Sequence, residues 1–94
     1  MRESSIEHRL KRTVEKLGGL ALKWISPGCT GVPDRIVLLP GGRVYFVELK
    51  APGGRLSARQ IYIQAELSRL GFKTATLASP AAVDAFCSEV ADGV

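Results

Sequence analysis

The sequence predicts an α/β domain in which a mixed four-stranded sheet is flanked by helices, in the order α-β-β-β-α-β-α. Three observations carry that prediction. Apolar residues recur at helical spacing in three segments, around Ile6 to Leu17, Ile63 to Leu70 and Val83 to Val90. Two short apolar runs, VPDRIVLL and VYFVELKA, are joined by Pro40-Gly41-Gly42, which makes them a hairpin. A further strand-like run, KTATL, arrives only after a helical segment, so its connection is a right-handed crossover and its pairing parallel.

The first helix is expected over Ser4 to Leu17, with Ile6, Leu10, Val14 and Leu17 on one face. Ser4 and Glu7 have the spacing of a capping box, and Gly18-Gly19 supplies the stop. Leu20 to Ile25 is a first strand, and the turn formers of SPGCTGV make a loop. Arg35 to Leu39 is a second strand, apolar enough to be buried on both faces. Arg43 to Leu49 is the third. The segment APGGR must be a loop, after which Ser57 caps a second helix ending near Leu70 and Gly71. Lys73 to Leu77 is the fourth strand. Ser79-Pro80 opens a third helix whose stripe is Val83, Phe86, Cys87 and Val90.

The 94 residues fit one domain with one core, spanning 1–94. A hydrophobic content of 46% and a charged content of 23% are those of an ordinary globular protein, not of a disordered chain. No run approaches the roughly 20 apolar residues of a membrane span. The polar start MRESSIEHRLKR is no secretory signal, so a cytoplasmic protein is expected. Cys29 and Cys87 form no CxxC pair, which argues against thiolate zinc and for two reduced thiols. Thirteen Lys and Arg against nine Asp and Glu give a net charge of +4, which permits a phosphate-backbone partner without demanding one.

Asp34, Glu48 and Lys50 carry the chemistry. Side chains two apart on a strand share a face, so Glu48 and Lys50 point one way while Val47 and Leu49 point into packing. The hairpin is antiparallel, which sets the start of the second strand, and Asp34, beside the end of the third. Two carboxylates so close repel unless a cation lies between them, and oxygen ligands of this kind suit Mg²⁺ or Mn²⁺. A nearby ammonium can steady a hydroxide or the charge that develops on phosphorus. A lone Asp is often a turn residue, and Glu-x-Lys on an edge strand is often a solvated ion pair. The run Val44-Tyr45-Phe46-Val47 marks an interior strand instead, and charges at its end require a reason.

Val-Pro-Asp34 followed by Glu48-Leu-Lys50 in this element order resembles the PD-(D/E)xK nuclease superfamily. More narrowly, GVPDRIVLL and VYFVELKAPGGRLSARQ resemble the VRR-NUC group, in particular its small stand-alone bacterial and phage members. The likeness runs from Glu7 to about Leu77. It implies a restriction-endonuclease-like αβββαβ core with an added C-terminal helix. It also implies that Asp34 and Glu48 bind Mg²⁺ or Mn²⁺, joined by the Leu49 backbone carbonyl, and that Lys50 assists the nucleophile. Gln60 matches the family's helix-borne glutamine near the metal or the scissile phosphate. Glu7 matches an acidic residue that supports a metal site, a role that competes with its place in the capping box.

In the loop after the site, Gly53 and Gly54 allow backbone to approach a phosphate, and Arg55 can contact it. Arg35 and Lys23 are further candidates for binding DNA at this end of the sheet. Arg9, Lys11, Arg12 and Lys16 are expected on a solvated helix face, with His8 at the surface. Trp24 and Tyr62 are expected in a core or an interface, and the last helix against the sheet or a partner subunit. The implied activity is metal-dependent hydrolysis of DNA phosphodiesters, structure-specific on branched DNA such as Holliday junctions, by a homodimer that cuts two strands symmetrically. Two alternatives remain open. One is a catalytically silent nuclease-fold module that binds DNA or protein. The other is a repair or restriction subunit that takes its substrate choice from a partner.

Overall fold

In a computed structural model, which describes residues 2–91, the chain forms α1 (Glu3–Lys16), β1 (Leu20–Lys23), β2 (Arg35–Leu39), β3 (Arg43–Leu49), α2 (Ala58–Arg69), β4 (Lys73–Leu77) and α3 (Pro80–Ala91). The strands lie in the order β1-β2-β3-β4, the first two pairings antiparallel and the last parallel. This is the mixed sheet that the sequence predicts. The β2–β3 hairpin closes with Leu39 opposite Arg43, leaving Pro40-Gly41-Gly42 as the turn. Both of its glycines have positive φ, 87° and 75°.

Register sorts the sheet into two faces, because partners across a ladder point the same way. One face carries Ala21, Val37, Leu39, Val47, Leu49 and Leu77, and it meets Ile6, Leu10 and Val14 of α1 and Val83, Phe86, Cys87 and Val90 of α3. These residues are the core. The two helices are also tied to each other by a bidentate ion pair, Arg9 Nε and Nη2 donating to Asp84 at 2.9 and 2.7 Å. The other face carries Leu20, Leu22, Ile36, Leu38, Val44, Phe46 and Glu48. α2 lies over it, held at Gln64 Nε2–Thr76 Oγ1 (3.1 Å), but no residue of α2 is buried.

Four expectations are corrected by the structure. α1 begins at Glu3 with Arg2 at the cap and no side-chain cap hydrogen bond, so the Ser4–Glu7 capping box does not form. The reason is that Glu7 is drawn to Arg35 on the sheet. β1 stops at Lys23, and Ile25 is 77% exposed. β2 is buried on one face only, since Ile36 and Leu38 are half-buried. Leu70, expected on the packed stripe of α2, is exposed. Ser79 does cap α3, its Oγ accepting from Ala82 N at 3.0 Å. No described helix is long and apolar enough to cross a membrane.

Candidate active site

Asp34 stands one residue before β2, and the β2–β3 register places Arg35 opposite Val47, so Asp34 faces Glu48. Its backbone carbonyl accepts from Trp24 N at 2.8 Å, which continues the β1–β2 ladder past the end of β1. Its carboxylate Oδ2 accepts from Leu49 N at 2.9 Å, so the side chain substitutes for the next backbone rung between β2 and β3. Asp34 is thus gripped from both neighbouring strands.

Glu48 is 2% exposed, one of two charged side chains among the described residues that are buried. Burial pushes its carboxyl up to about 7, the Asp34 charge pushes the same way, and Lys50 opposes both. Lys50 Nζ lies 3.6 Å from Glu48 Oε2. Gln60 Nε2 donates to that same oxygen at 3.0 Å. Glu48 Oε1 is buried with no hydrogen-bond partner among the described residues. A buried acceptor left alone is costly and calls for a ligand or a proton.

Gln60 is aimed by the end of its own helix. Ser57 Oγ accepts from Gln60 N at 3.1 Å, and Gln60 Oε1 accepts from Ser57 N at 2.8 Å, a complete capping box. With its carbonyl oxygen held there, the amide can present only its NH₂ to Glu48. The sequence identified Ser57 as a cap but not this second task, although Ser57-x-x-Gln60 is the capping-box pattern. Arg59, next to it, was also missed: its Nε donates to Thr30 O at 3.2 Å and seats the 26–32 loop on α2. Gly31 makes that approach possible. A Cβ on its positive-φ backbone would lie 2.6 Å from Arg59 Cγ and 2.9 Å from Arg59 backbone.

The remaining candidates are scattered around this centre. Leu49 buries its side chain in the core, and its carbonyl sits between Glu48 and Lys50 in sequence. Glu7 lies on the other face of the sheet, paired with Arg35 Nη2. Arg35 is buried and also donates to Ala21 O at 3.5 Å, so its guanidinium does not face solvent. Glu7, Asp34, Arg35 and Lys23 nevertheless line one cleft of about 420 Å³, with Glu3, Trp24 and Ile25. Among the described residues no three Asp, Glu, His or Cys side chains converge as a ligand set. Gly53 has a φ of 82° in the tight turn that Gly54 N closes onto Ala51 O at 2.8 Å. Arg55 is exposed beside it.

Mg²⁺ or Mn²⁺ would suit the Asp34–Glu48 pair: both offer hard carboxylate oxygens, Glu48 Oε1 is buried and unpartnered, and a cation would favour the ionised form that burial disfavours at Glu48.

Comparison with known proteins identifies the fold and the family. A solved structure titled "VRR_NUC domain" superposes with a TM-score of 0.87 at 29% identity, covering 92% of this chain and 94% of that one. "Putative nuclease p44" of Acyrthosiphon pisum secondary endosymbiont phage 1 is 48% identical over 79 residues, 84% of this chain and 85% of that protein. The VRR-NUC domain model matches residues 2–81. The chain belongs to the VRR-NUC domain family.

Proposed function

We propose that the chain is a Mg²⁺- or Mn²⁺-dependent deoxyribonuclease, an endonuclease that hydrolyses phosphodiesters in branched DNA such as four-way junctions, and that it works as a homodimer. The observation that carries the catalytic part is the buried, half-satisfied Glu48 set between Asp34, Lys50 and Gln60. The family and the phage relative described as a nuclease support the same reaction class.

The bound cation supplies polarisation of a phosphoryl oxygen and a lowered pKa for water. The chain supplies the rest. Asp34, fixed by Leu49 N, and Glu48, fixed through Oε2 by Gln60 and Lys50, would hold the cation through their remaining oxygens. The Leu49 carbonyl would be a further ligand of the right hardness on the same strand end. The Lys50 ammonium, a fifth exposed, reaches the reacting phosphate and steadies developing negative charge. Arg55, Lys23 and the Gly53-Gly54 turn provide phosphate contacts around it.

The seven described elements all belong to the sheet and its flanking helices, which favours recognition of DNA shape over base readout. The dimer is supported by the part of the second sheet face that α2 leaves exposed. Trp24, Phe46 and Phe72 form a continuous aromatic row across it, with ring centroids 5.1 and 5.4 Å apart. Leu20, Leu22 and Phe72 are 51%, 46% and 46% exposed beside that row. Apolar surface of this kind marks an interaction site, and a second copy buries it symmetrically.

The test is a panel of labelled four-way junction, flap and plain duplex, with Mn²⁺ or with chelator, for the native chain and Lys50→Ala, alongside light scattering. Cleavage of the junction that needs both the metal and Lys50 is expected, by a dimer that Leu22→Glu dissociates. Cutting that survives chelation and Lys50→Ala would sink the mechanism. Equal rates on plain duplex would remove the branched-DNA preference, and a native monomer would remove the dimer.

A further inference from the structure

The two buried charges of the described chain, Glu48 and Arg35, sit on opposite faces of the sheet, on either side of Asp34. The proposed reaction uses Glu48 and leaves Arg35 without a task. Arg35 follows Asp34 directly, and strand alternation turns it away from Asp34 and towards α1. There its guanidinium is 9% exposed and its charge is met by one carboxylate, that of Glu7. Its other contact, the Ala21 carbonyl at 3.5 Å, is at the limit of a hydrogen bond and brings no charge.

Glu7 is a third exposed and lines the same cleft as Asp34, so among the described residues it is the carboxylate that a second cation entering the cleft beside Asp34 would have to draw in. Taking Glu7 as a ligand would strip Arg35 of its counter-ion while leaving the guanidinium buried. Removing one partner of a buried pair is strongly unfavourable, because the survivor keeps its desolvation cost and loses its attraction. Lys23 lines the same cleft, and its positive charge opposes cation entry from that side.

We propose that Arg35 holds Glu7 as its own counter-ion and thereby limits the site to one divalent cation per chain, carried by Asp34 and Glu48. This rests on the metal-dependent reading above. Arg35 is a positioning residue in this scheme: it contacts neither the cation nor the DNA, and it acts by occupying the third carboxylate. The family likeness made Glu7 an expected metal ligand, and in this chain the neighbouring arginine assigns it elsewhere.

The experiment is a Mn²⁺ titration in which free ion is counted by its electron paramagnetic resonance signal. It compares native protein, Asp34→Asn, Arg35→Met and the pair Glu7→Gln with Arg35→Met, each checked for fold by circular dichroism. The pair removes both charges together, so it leaves no orphaned partner and keeps the fold. One ion per native chain is expected. The pair should bind one ion with a dissociation constant within roughly threefold of native. Arg35→Met alone, which frees Glu7, should bind a second ion or bind the first more tightly. Asp34→Asn should weaken binding by roughly 100-fold or more.

Two ions on the native chain, or loss of binding in the pair comparable to that in Asp34→Asn, overturns the Arg35 assignment and leaves metal dependence standing. Native binding of one ion with Arg35→Met unchanged from native in both number and affinity overturns it as well. Asp34→Asn binding Mn²⁺ as the native chain does overturns the metal reading itself.

Discussion

The two faces of the sheet are built to opposite specifications. The face towards α1 and α3 is closed: Val37, Val47 and Val83 have no exposed surface, and side chains from six elements interlock there. The face towards α2 is open, with half-buried Ile36, Leu38 and Phe46, and a helix none of whose residues is buried. The charges of the proposed active site, Asp34, Glu48 and Lys50, all belong to the open face. Each points away from the core because its neighbour in sequence points into it. One strand therefore contributes to stability with Val47 and Leu49 and, in the proposed reaction, to chemistry with Glu48 and Lys50, and the two demands do not compete for the same residues.

That division can be broken in a graded series. The largest effect is expected from Lys50→Ala, which should lower cleavage by about 10³-fold, roughly 4 kcal/mol of transition-state stabilisation, with an unchanged unfolding midpoint. A variant that lost stability in proportion would show that Lys50 serves the fold. On the closed face, Leu10→Ala should cost about 3 kcal/mol in urea unfolding, because α1 cannot collapse into the space left behind.

Glu48→Gln falls next and has the opposite sign. The Glu48 carboxyl is raised from 4.5 to about 7 in the fold, so the protonated form is the one that folding favours. The stability it contributes is complete below pH 4.5 and is lost as pH rises through about 7. Metal-free protein should therefore weaken across that interval. Glu48→Gln should remove the slope and gain roughly 2 kcal/mol at pH 8, read from thermal melts in chelator. A parallel pH slope in the variant would mean that another group titrates. The smallest effect is expected from Leu22→Ser on the open face, within about 0.5 kcal/mol in dilute protein. A loss as large as that of Leu10→Ala would show that the open face is part of the core after all.

Most of this arrangement was legible in the residues. β2, β3 and β4 were placed with their ends as found, since each is a short apolar run bounded by Gly, Pro or a turn. The facing of Asp34 and Glu48 followed from hairpin arithmetic. What the residues did not disclose is long-range charge pairing. Arg35 looked like a cation at the active end of the sheet because a sequence shows adjacency and not direction of burial. Glu7 looked like a helix cap because Ser4 stands three residues before it. The pairing of Glu7 with Arg35, 28 positions apart in numbering, decides both. The openness of the second face was equally hidden: Ile36 and Leu38 are as apolar as Val37, and only the position of α2 leaves them half covered.

The capping box at Ser57 has a consequence for heat inactivation. First turns of helices are among the earliest segments to open, long before a global transition. When the first turn of α2 opens, Ser57 releases the Gln60 amide, and the donor aimed at Glu48 Oε2 loses its fixed orientation. The protein should therefore go quiet while it is still folded, on warming that leaves the α1–α3 side intact. Amide hydrogen exchange at Gln60 would follow the loss of cleavage, and exchange at Val47 would follow the melt.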